Sequence, residues 1–203
     1  MENQNGYELL KERAKSLAVM LTLEEKIGMI HGAHLFSTQG VERLGIPPLV
    51  MSDGPMGVRQ EFELDHWKAV GGSADYATYL PCNSALAATW NRDLASATGS
   101  VLGAEARGRG KDIILAPGIN IKRSPLCGRN FEYFSEDPYL TGELAVCFIQ
   151  GIQQWDVAAC VKHFAVNNQE TQRLWTEVEI DEAALREIYL PAFYECLTRG
   201  KSL

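Results

Sequence analysis

The stretch Cys160–Glu170, CVKHFAVNNQE, decides how the rest of the chain is interpreted. The apolar run VAACV leads directly into Lys162 and His163, and the polar run NNQE follows soon after. An apolar run bounded by polar residues is typical of a buried strand, and a buried ammonium is costly unless a partner meets it. The stretch therefore predicts a strand over residues 157–164 that ends in a polar site.

The order of strand followed by helix recurs along the chain. Strands are predicted at 49–51, 85–89, 113–116 and 157–164, and helices begin after Asn91, Asp137 and Asp181. Each of these three polar residues can cap the helix that it precedes. Because no hairpin signal such as Asn-Gly separates the strands, this order predicts an α/β fold with a parallel sheet. It leaves open a doubly wound sheet or part of a (β/α)8 TIM-type barrel, and the absence of a GxGxxG motif after the first strand weakens the dinucleotide-binding version.

Residues 1–45 are predicted to form an N-terminal helical lead-in. Apolar residues recur at helical spacing up to Leu21, and Thr22 and Glu25 have the capping-box spacing T-x-x-E that opens a second helix. Residues 46–203 are the α/β part, whereas a full barrel usually needs about 250 residues. We therefore expect an incomplete N-terminal portion of a barrel, whose exposed strand edge could mediate self-association.

Composition excludes several classes of partner. The formal net charge of -7 argues against nucleic acid or an anionic membrane, since both require a basic face. The five cysteines have no CxxC spacing and the histidines no HxxxH spacing, so we expect no metal, no other cofactor and no disulfide framework. The N-terminus has no basic-then-apolar signal pattern, and no stretch approaches the roughly 18 apolar residues of a membrane helix. These features predict a soluble, cytoplasmic chain.

Candidate functional residues follow the predicted strands, because in parallel α/β folds functional groups gather where strands end. Three such segments are SDGPMGVR at 52–59, NIKRSPLCGRNFEYFSEDP at 120–138, and the stretch that begins with Lys162. Asp53 could cap a turn, or it could accept hydrogen bonds from two hydroxyls of one ligand. His163 alone would be interpreted as a satisfied core histidine, and the adjacent lysine favours a site at the mouth of the strand instead.

Ion pairs within the loops would account for some of the cations. Arg59 is interpreted as a partner of Glu61 or Glu63, and at least one of Arg123 and Arg129 as structural. One carboxylate and several cationic or imidazole donors remain, with no phosphate cradle and no metal set. That mixture favours a neutral, polyhydroxylated ligand. Four aromatic residues could stack on a sugar ring or belong to the core: Trp67, Trp90, Tyr133 and Phe134.

Three motifs resemble signatures of the family 3 glycoside hydrolases, a group that includes bacterial and fungal β-glucosidases. They are SDGPMGVR, GRNFEYFSEDP and KHFAVNNQE, and the resemblance extends from LTLEEKIGMI to YLPAFYECL. It implies an N-terminal (β/α)8 TIM-type barrel whose pocket holds the non-reducing terminal sugar. By motif position, the residues implied to bind the hydroxyls of that sugar are Asp53, Arg129, Lys162 and His163. The continuation AVNNQE is similar to β-glucosidase members and unlike the KHFPGHG pattern of the N-acetylhexosaminidase branch.

The resemblance implies retaining hydrolysis of terminal β-D-glucosyl residues, which needs two carboxyl groups. The family's nucleophile is an aspartate in an SDW-like motif beyond KHF, and no SDW is present in this chain. We therefore expect no catalytic residue here, with the nucleophile and the acid/base beyond Leu203, and an inactive chain that binds a β-glucoside or short oligosaccharide. A β-xylosidase-type member and a non-catalytic sugar-binding or interaction fragment remain as alternatives.

Overall fold

The structure is a computed structural model that describes residues 2–70 and 76–202. Its residues form two compact units, of which the first comprises Met1–Val50 and Phe62–Lys68 and the second comprises Met51–Glu61 and Ala69–Leu203. The lead-in predicted at residues 1–45 falls within the first unit, and its boundary at residue 45 stays a prediction.

The first unit is mainly helical. Its elements are α1 (Glu2–Met20), α2 (Leu23–Met29), β1 (Gly32–His34) and β2 (Ser37–Thr38). The predicted capping box is confirmed, since the Glu25 amide donates to Thr22 Oγ1 at 3.2 Å and the Thr22 amide donates to Glu25 Oε2 at 2.8 Å. β1 and β2 pair antiparallel. The sequence did not predict this hairpin, because strands of three and two residues are too short to produce a recognisable alternation.

The second unit contains a parallel sheet, as the strand-helix order predicted. Its strands are β3 (Met51–Asp53), β4 (Ile113–Leu115) and β5 (Ala158–Ala159), in the order β3-β4-β5. Asp53 is in register with Leu115, and Ile114 with Ala159. Parallel strands point the same way, so the residues that follow each strand meet at one edge of the sheet.

Helices cover this sheet and supply most of its core. They are α3 (Asn83–Ala88), α4 (Arg92–Gly108), α5 (Pro138–Gln153), α6 (Glu182–Ala184) and α7 (Pro191–Thr198). The predicted caps are confirmed at Asn91, Asp137 and Asp181, each of which accepts a hydrogen bond from an amide of the following helix. A π-helical turn, Leu185–Tyr189, separates α6 from α7 just ahead of Pro191. Within the described residues, no helix combines the length and the apolar character needed to cross a membrane.

Two strand predictions were wrong in detail. Residues 85–89 lie mostly in α3, whose sequence NSALAA is rich in alanine, the strongest helix former. The strand predicted over 157–164 is only Ala158–Ala159, followed by a single bridge between Lys162 and Gly118. The ladder ends there because the side chain of Asn120 takes over its hydrogen bonds. Its Oδ1 accepts from the His163 amide at 2.7 Å, and its Nδ2 donates to the carbonyls of His163 and Ala165 at 2.9 and 3.0 Å.

Candidate functional site

The site is built around an ion pair between Asp53 and Lys162. Asp53 is the last residue of β3 and Lys162 follows β5, so the common edge of the sheet brings them together. Lys162 Nζ donates to Asp53 Oδ1 at 2.5 Å, and Arg59 Nη1 lies 3.2 Å from Asp53 Oδ2. The Gly54 amide also donates to Asp53 Oδ1 at 2.9 Å. The aspartate therefore caps the turn, as one interpretation of the sequence predicted, and also pairs with two cations. Its predicted role in accepting hydrogen bonds from ligand hydroxyls stays a prediction.

The charge state of Asp53 follows from these contacts. Burial alone would raise the pKa of this carboxyl, but the charges of Lys162 and Arg59 and the bond from the Gly54 amide outweigh it, so the net shift of the pKa is downward. Asp53 is therefore ionised at neutral pH, and an ionised carboxylate can only accept hydrogen bonds. A ligand hydroxyl that meets it must donate.

Glu132 holds the second group of cations. It ends the short 3-10 turn Asn130–Glu132, and its side chain is only 6% exposed. Arg129 Nε and Nη2 donate to its two carboxylate oxygens, each at 2.7 Å, and Lys162 Nζ lies 3.5 Å from Oε1. The sequence predicted an internal ion pair for an arginine of this loop, and the structure gives one to Arg129. It did not predict that the same glutamate would also face Lys162.

His163 is connected to this cluster through Arg129. Arg129 Nη2 lies 2.8 Å from His163 Nε2, and because a guanidinium can only donate, Nε2 must accept. Burial, followed by the charges of Arg129 and Lys162, lowers the pKa of His163 to about 4. The neutral ring then carries its proton on Nδ1, which lies 3.3 Å from the hydroxyl oxygen of Tyr133. The arginine thereby sets the tautomer of the histidine.

Tyr133 and Asn167 close the chain of hydrogen bonds behind the histidine. Asn167 Nδ2 donates to the Tyr133 hydroxyl oxygen at 2.9 Å and to Glu170 Oε1 at 2.8 Å. Burial raises the pKa of Tyr133 to about 12, so it stays a neutral hydroxyl. Asn167 and Glu170, from the polar run NNQE quoted at the outset, therefore support Tyr133 behind His163 and lie close to Arg129.

A cavity of about 380 Å³ opens beside the ion pairs. Charged residues line one side of it: Asp53, Arg59, Arg129, Glu132 and Lys162. Met56, Tyr79 and Phe131 are among the residues that line the rest. This volume lies near the lower end of the roughly 300–1,000 Å³ typical of small-molecule sites. Three of the four residues implied by the resemblance, Asp53, Arg129 and Lys162, line this cavity, whereas His163 lies behind Arg129 and lines a neighbouring cavity of about 530 Å³.

The interpretation of Arg59 is corrected by this geometry. The sequence paired it with Glu61 or Glu63, but its guanidinium lies against Asp53 in the cavity. Arg59 pairs with Asp53 because the turn after β3 brings the two side chains together, although they are six positions apart in the sequence. The spacing between SDG and the arginine in SDGPMGVR was the signal that could have found it.

The aromatic candidates divide between core and surface. Tyr133 and Phe134 are 0% and 1% exposed, so neither can offer a ring face to a ligand. Trp67, in the first unit, packs edge-on against Phe36 and Phe62. Trp90 is 75% exposed, and it follows α3 rather than the predicted strand. Across residues 2–70 and 76–202, the structure places no three histidine, cysteine, aspartate or glutamate side chains where they could hold a metal ion.

Residues 22–202 match the model of the glycosyl hydrolase family 3 N-terminal domain, over most of the 203-residue chain. The chain belongs to glycosyl hydrolase family 3. The resemblance drawn from SDGPMGVR, GRNFEYFSEDP and KHFAVNNQE is thereby confirmed.

Other members of family 3 are similar over nearly the whole chain. A β-glucosidase of Bacteroides ovatus is 49% identical over 193 residues, which make up 95% of this chain and 26% of that protein. An exo-α-(1→6)-L-arabinopyranosidase of Bifidobacterium longum is 43% identical over 89% of this chain and 24% of its own length. The chain thus spans about a quarter of the length of these curated relatives.

Solved structures of family 3 members confirm the α/β fold. β-Glucosidase 3B of Thermotoga neapolitana, in complex with α-D-glucose, matches with a TM-score of 0.84 and 40% identity, covering 93% of this chain and 28% of that one. A β-glucosidase of Kluyveromyces marxianus in complex with glucose matches with a TM-score of 0.83 and 37% identity, covering 92% of this chain and 21% of that one.

Proposed function

We propose that the 380 Å³ cavity binds the non-reducing terminal sugar of a β-glucoside or short oligosaccharide, in a protein that hydrolyses terminal β-D-glucosyl residues with retention. The observation that carries the proposal is the convergence of an ionised Asp53 with Lys162 and Arg129 at one wall of this cavity. The membership in family 3 and the glucose complexes of its structural relatives support it.

The chemistry of the wall suits sugar hydroxyls. Each hydroxyl can donate one hydrogen bond and accept others, so neighbouring hydroxyls can donate to Asp53 while they accept from Lys162 and Arg129. Carboxylates and cations also alternate within the cluster, with Asp53, Glu132 and Glu170 facing Arg59, Arg129, Lys162 and Arg173, so most of the charge is compensated inside it. A neutral ligand fits this compensated cluster better than an ion does.

The same wall is not equipped for the bond-breaking step. Retaining hydrolysis needs a nucleophilic carboxylate and a protonated carboxyl group about 5–5.5 Å apart. Asp53 is ionised and held by two cations, and Glu132 is committed to Arg129 through both oxygens. We therefore assign these carboxylates to binding. The nucleophile and the acid/base are proposed to come from residues beyond Leu203.

The parallel strands β3, β4 and β5 are proposed to be part of a (β/α)8 barrel that those further residues would complete, with residues 46–203 as its first half. On this proposal the sugar pocket lies at the carboxyl edge of the strands, where barrel enzymes place their sites. The 203-residue chain by itself is expected to bind sugar without cleaving it.

Calorimetric titration with glucose tests the binding proposal. Heat of binding should be measurable for the chain and lost in Asp53→Asn and Lys162→Met. Asp156→Asn is the matched control, because that carboxylate is 86% exposed and pairs with Arg107 instead. Equal glucose binding by the unmodified chain and all three variants would refute the proposal that this cavity is the sugar site. Release of p-nitrophenol from its β-glucoside by the chain alone, abolished in Asp53→Asn, would refute the assignment of the catalytic groups to residues beyond Leu203.

A pentose in the pyranose form is a second candidate for the sugar. The relatives named exo-α-(1→6)-L-arabinopyranosidase favour it, and a β-xylosidase-type activity belongs to the same class. Xylose and arabinopyranose lack the hydroxymethyl group that glucose carries. Titration of the chain with glucose, xylose and L-arabinose separates the candidates, and tighter binding of either pentose than of glucose would replace the glucosidase proposal.

A further inference from the structure

Lys122 differs from three other partly buried cations of the second unit. Lys111, Arg129 and Lys162, with side chains 8%, 20% and 14% exposed, each have a carboxylate oxygen within 2.7 Å. Among the described residues Lys122 forms no ion pair, and its Nζ donates to Ser84 Oγ at 2.6 Å. A partly buried ammonium without a counter-charge is less favourable than one in water, so this position shifts the equilibrium toward the neutral amine.

The contacts of Ser84 show how the amine is held. Ser84 Oγ lies 3.0 Å from the carbonyl oxygen of Asn130 and 3.3 Å from that of Tyr133. Carbonyl oxygens only accept, so the hydroxyl hydrogen points to them and a lone pair of Oγ faces Lys122. Burial lowers the pKa of Lys122, and Cys82 and then Glu136 oppose this without reversing it. Ser84 thus orients the nitrogen without supplying a negative charge.

Lys122 also faces open space. It lines a cavity of about 330 Å³ together with Ser84, Ser135, Glu136, Trp90 and Leu140. The indole of Trp90 is 75% exposed and forms an accessible apolar wall. A partly dehydrated amine beside a cavity with an apolar wall is an arrangement that activates lysine as a nucleophile toward carbonyl groups.

We propose that Lys122 is a nucleophilic amine that captures small aromatic aldehydes as imines in the cavity walled by Trp90. The lone pair of Nζ attacks the carbonyl carbon and forms a carbon–nitrogen bond. The two hydrogens of the amine leave with the carbonyl oxygen as one molecule of water, and an N=C bond remains. The step needs no oxidant or reductant, and it is independent of the proposed sugar site.

Reductive labelling of the intact protein tests the proposal. Benzaldehyde and sodium cyanoborohydride at pH 7 convert any imine to a stable benzylamine, which peptide mass spectrometry quantifies at each lysine. Lys15 and Lys68 are the internal references, since their side chains are 70% and 76% exposed. Labelling of Lys122 should exceed that of both references, because a lowered pKa raises the fraction of the amine that is neutral at pH 7.

Two variants separate a reactive amine from one that is merely accessible. Glu136→Gln removes one of the two groups that favour the ammonium, so it should accelerate labelling of Lys122 and leave Lys15 and Lys68 unchanged. Trp90→Ala should slow the reaction with benzaldehyde more than the reaction with formaldehyde, which needs no apolar wall. Labelling of Lys122 at or below the rate of the two references at pH 7, or rates unaffected by both variants, would overturn the proposal.

Discussion

Asp53 and Lys162 form an ion pair of 2.5 Å that joins the ends of β3 and β5 across 109 positions of the chain. β4 lies between these strands, so two strand spacings, about 10 Å, separate their backbones. A lysine side chain is long enough to span most of that distance, and a shorter cation would not reach. This ion pair explains why the apolar run that contains β5 can end in the ammonium of Lys162. The counter-charge is Asp53, at the end of β3, two strands away.

Removing Lys162 should therefore destabilise the protein as well as abolish sugar binding. In Lys162→Met, Asp53 keeps its charge but loses its strongest partner, which should cost about 1–3 kcal/mol of unfolding free energy. Urea unfolding measures it. The exposed lysine of the Lys68–Glu63 pair gives the matched control, and Lys68→Met should change stability by less than about 0.5 kcal/mol. If Asp53→Asn and Lys162→Met were strictly additive in the double variant, the pair would not be coupled as described.

Glu132 should be essential for the position of Arg129. In Glu132→Gln the amide can accept one hydrogen bond but cannot neutralise the guanidinium, so Arg129 should move from the cavity wall and sugar affinity should fall about tenfold or more, the loss of one charge-assisted bond. Calorimetric titration with glucose measures it. Glu12→Gln, at a side chain 65% exposed on α1, should leave the affinity unchanged. Unaltered affinity in Glu132→Gln would mean that Arg129 is held by other contacts.

His163 should make the protein less stable as the pH falls. Its folded-state pKa of about 4 lies below the ordinary value of 6.5, so the unfolded chain takes up the proton first. Stability is thus fully present above about pH 6.5 and is lost between about pH 6.5 and 4, by at most roughly 3 kcal/mol. Asp53, whose pKa is lowered, contributes to pH dependence only below its ordinary value of 3.8.

Urea unfolding at pH 7, 6 and 5 checks this prediction. The wild-type protein should lose stability across that range, and His163→Gln, which cannot titrate, should lose clearly less. His66→Gln is the control at an exposed histidine and should follow the wild-type slope. Parallel slopes for all three proteins would show that His163 is not the group that titrates.

Close packing of α4 and α5 should make Gly99 intolerant of a side chain. A Cβ at Gly99 would lie 2.0 Å from the carbonyl oxygen of Phe148, and backbone atoms cannot yield cheaply. Gly99→Ala should cost about 1–3 kcal/mol. At Gly108, in the same helix, the added Cβ would meet no atom within 4 Å apart from the helix's own nearby backbone, so Gly108→Ala should be neutral or stabilising by up to about 1 kcal/mol. Thermal or urea unfolding of the two variants measures the difference, and equal effects would contradict the packing.

The sequence predicted best those features that depend on neighbours in the chain. The caps at Thr22, Asn91, Asp137 and Asp181 were predicted correctly, because a cap is a hydrogen bond between residues two or three positions apart. The parallel α/β order followed from the succession of apolar runs and helices. The helix at 83–88 was missed because an apolar run of this length fits either element, and only its packing distinguishes them.

For the site, the chain order was enough to place Asp53 and Lys162 at strand ends and to suggest a polyhydroxylated ligand, whereas Arg129 was selected by the resemblance of its motif. The sequence alone could not show which carboxylate pairs with which cation. Arg59, for example, is close in sequence to Asp53, Glu61 and Glu63, and in the structure it pairs with Asp53. Nor could the sequence show that Glu132 faces both Arg129 and Lys162. Ion pairs form by distance in space, and the register of β3, β4 and β5, set by tertiary packing, determines those distances.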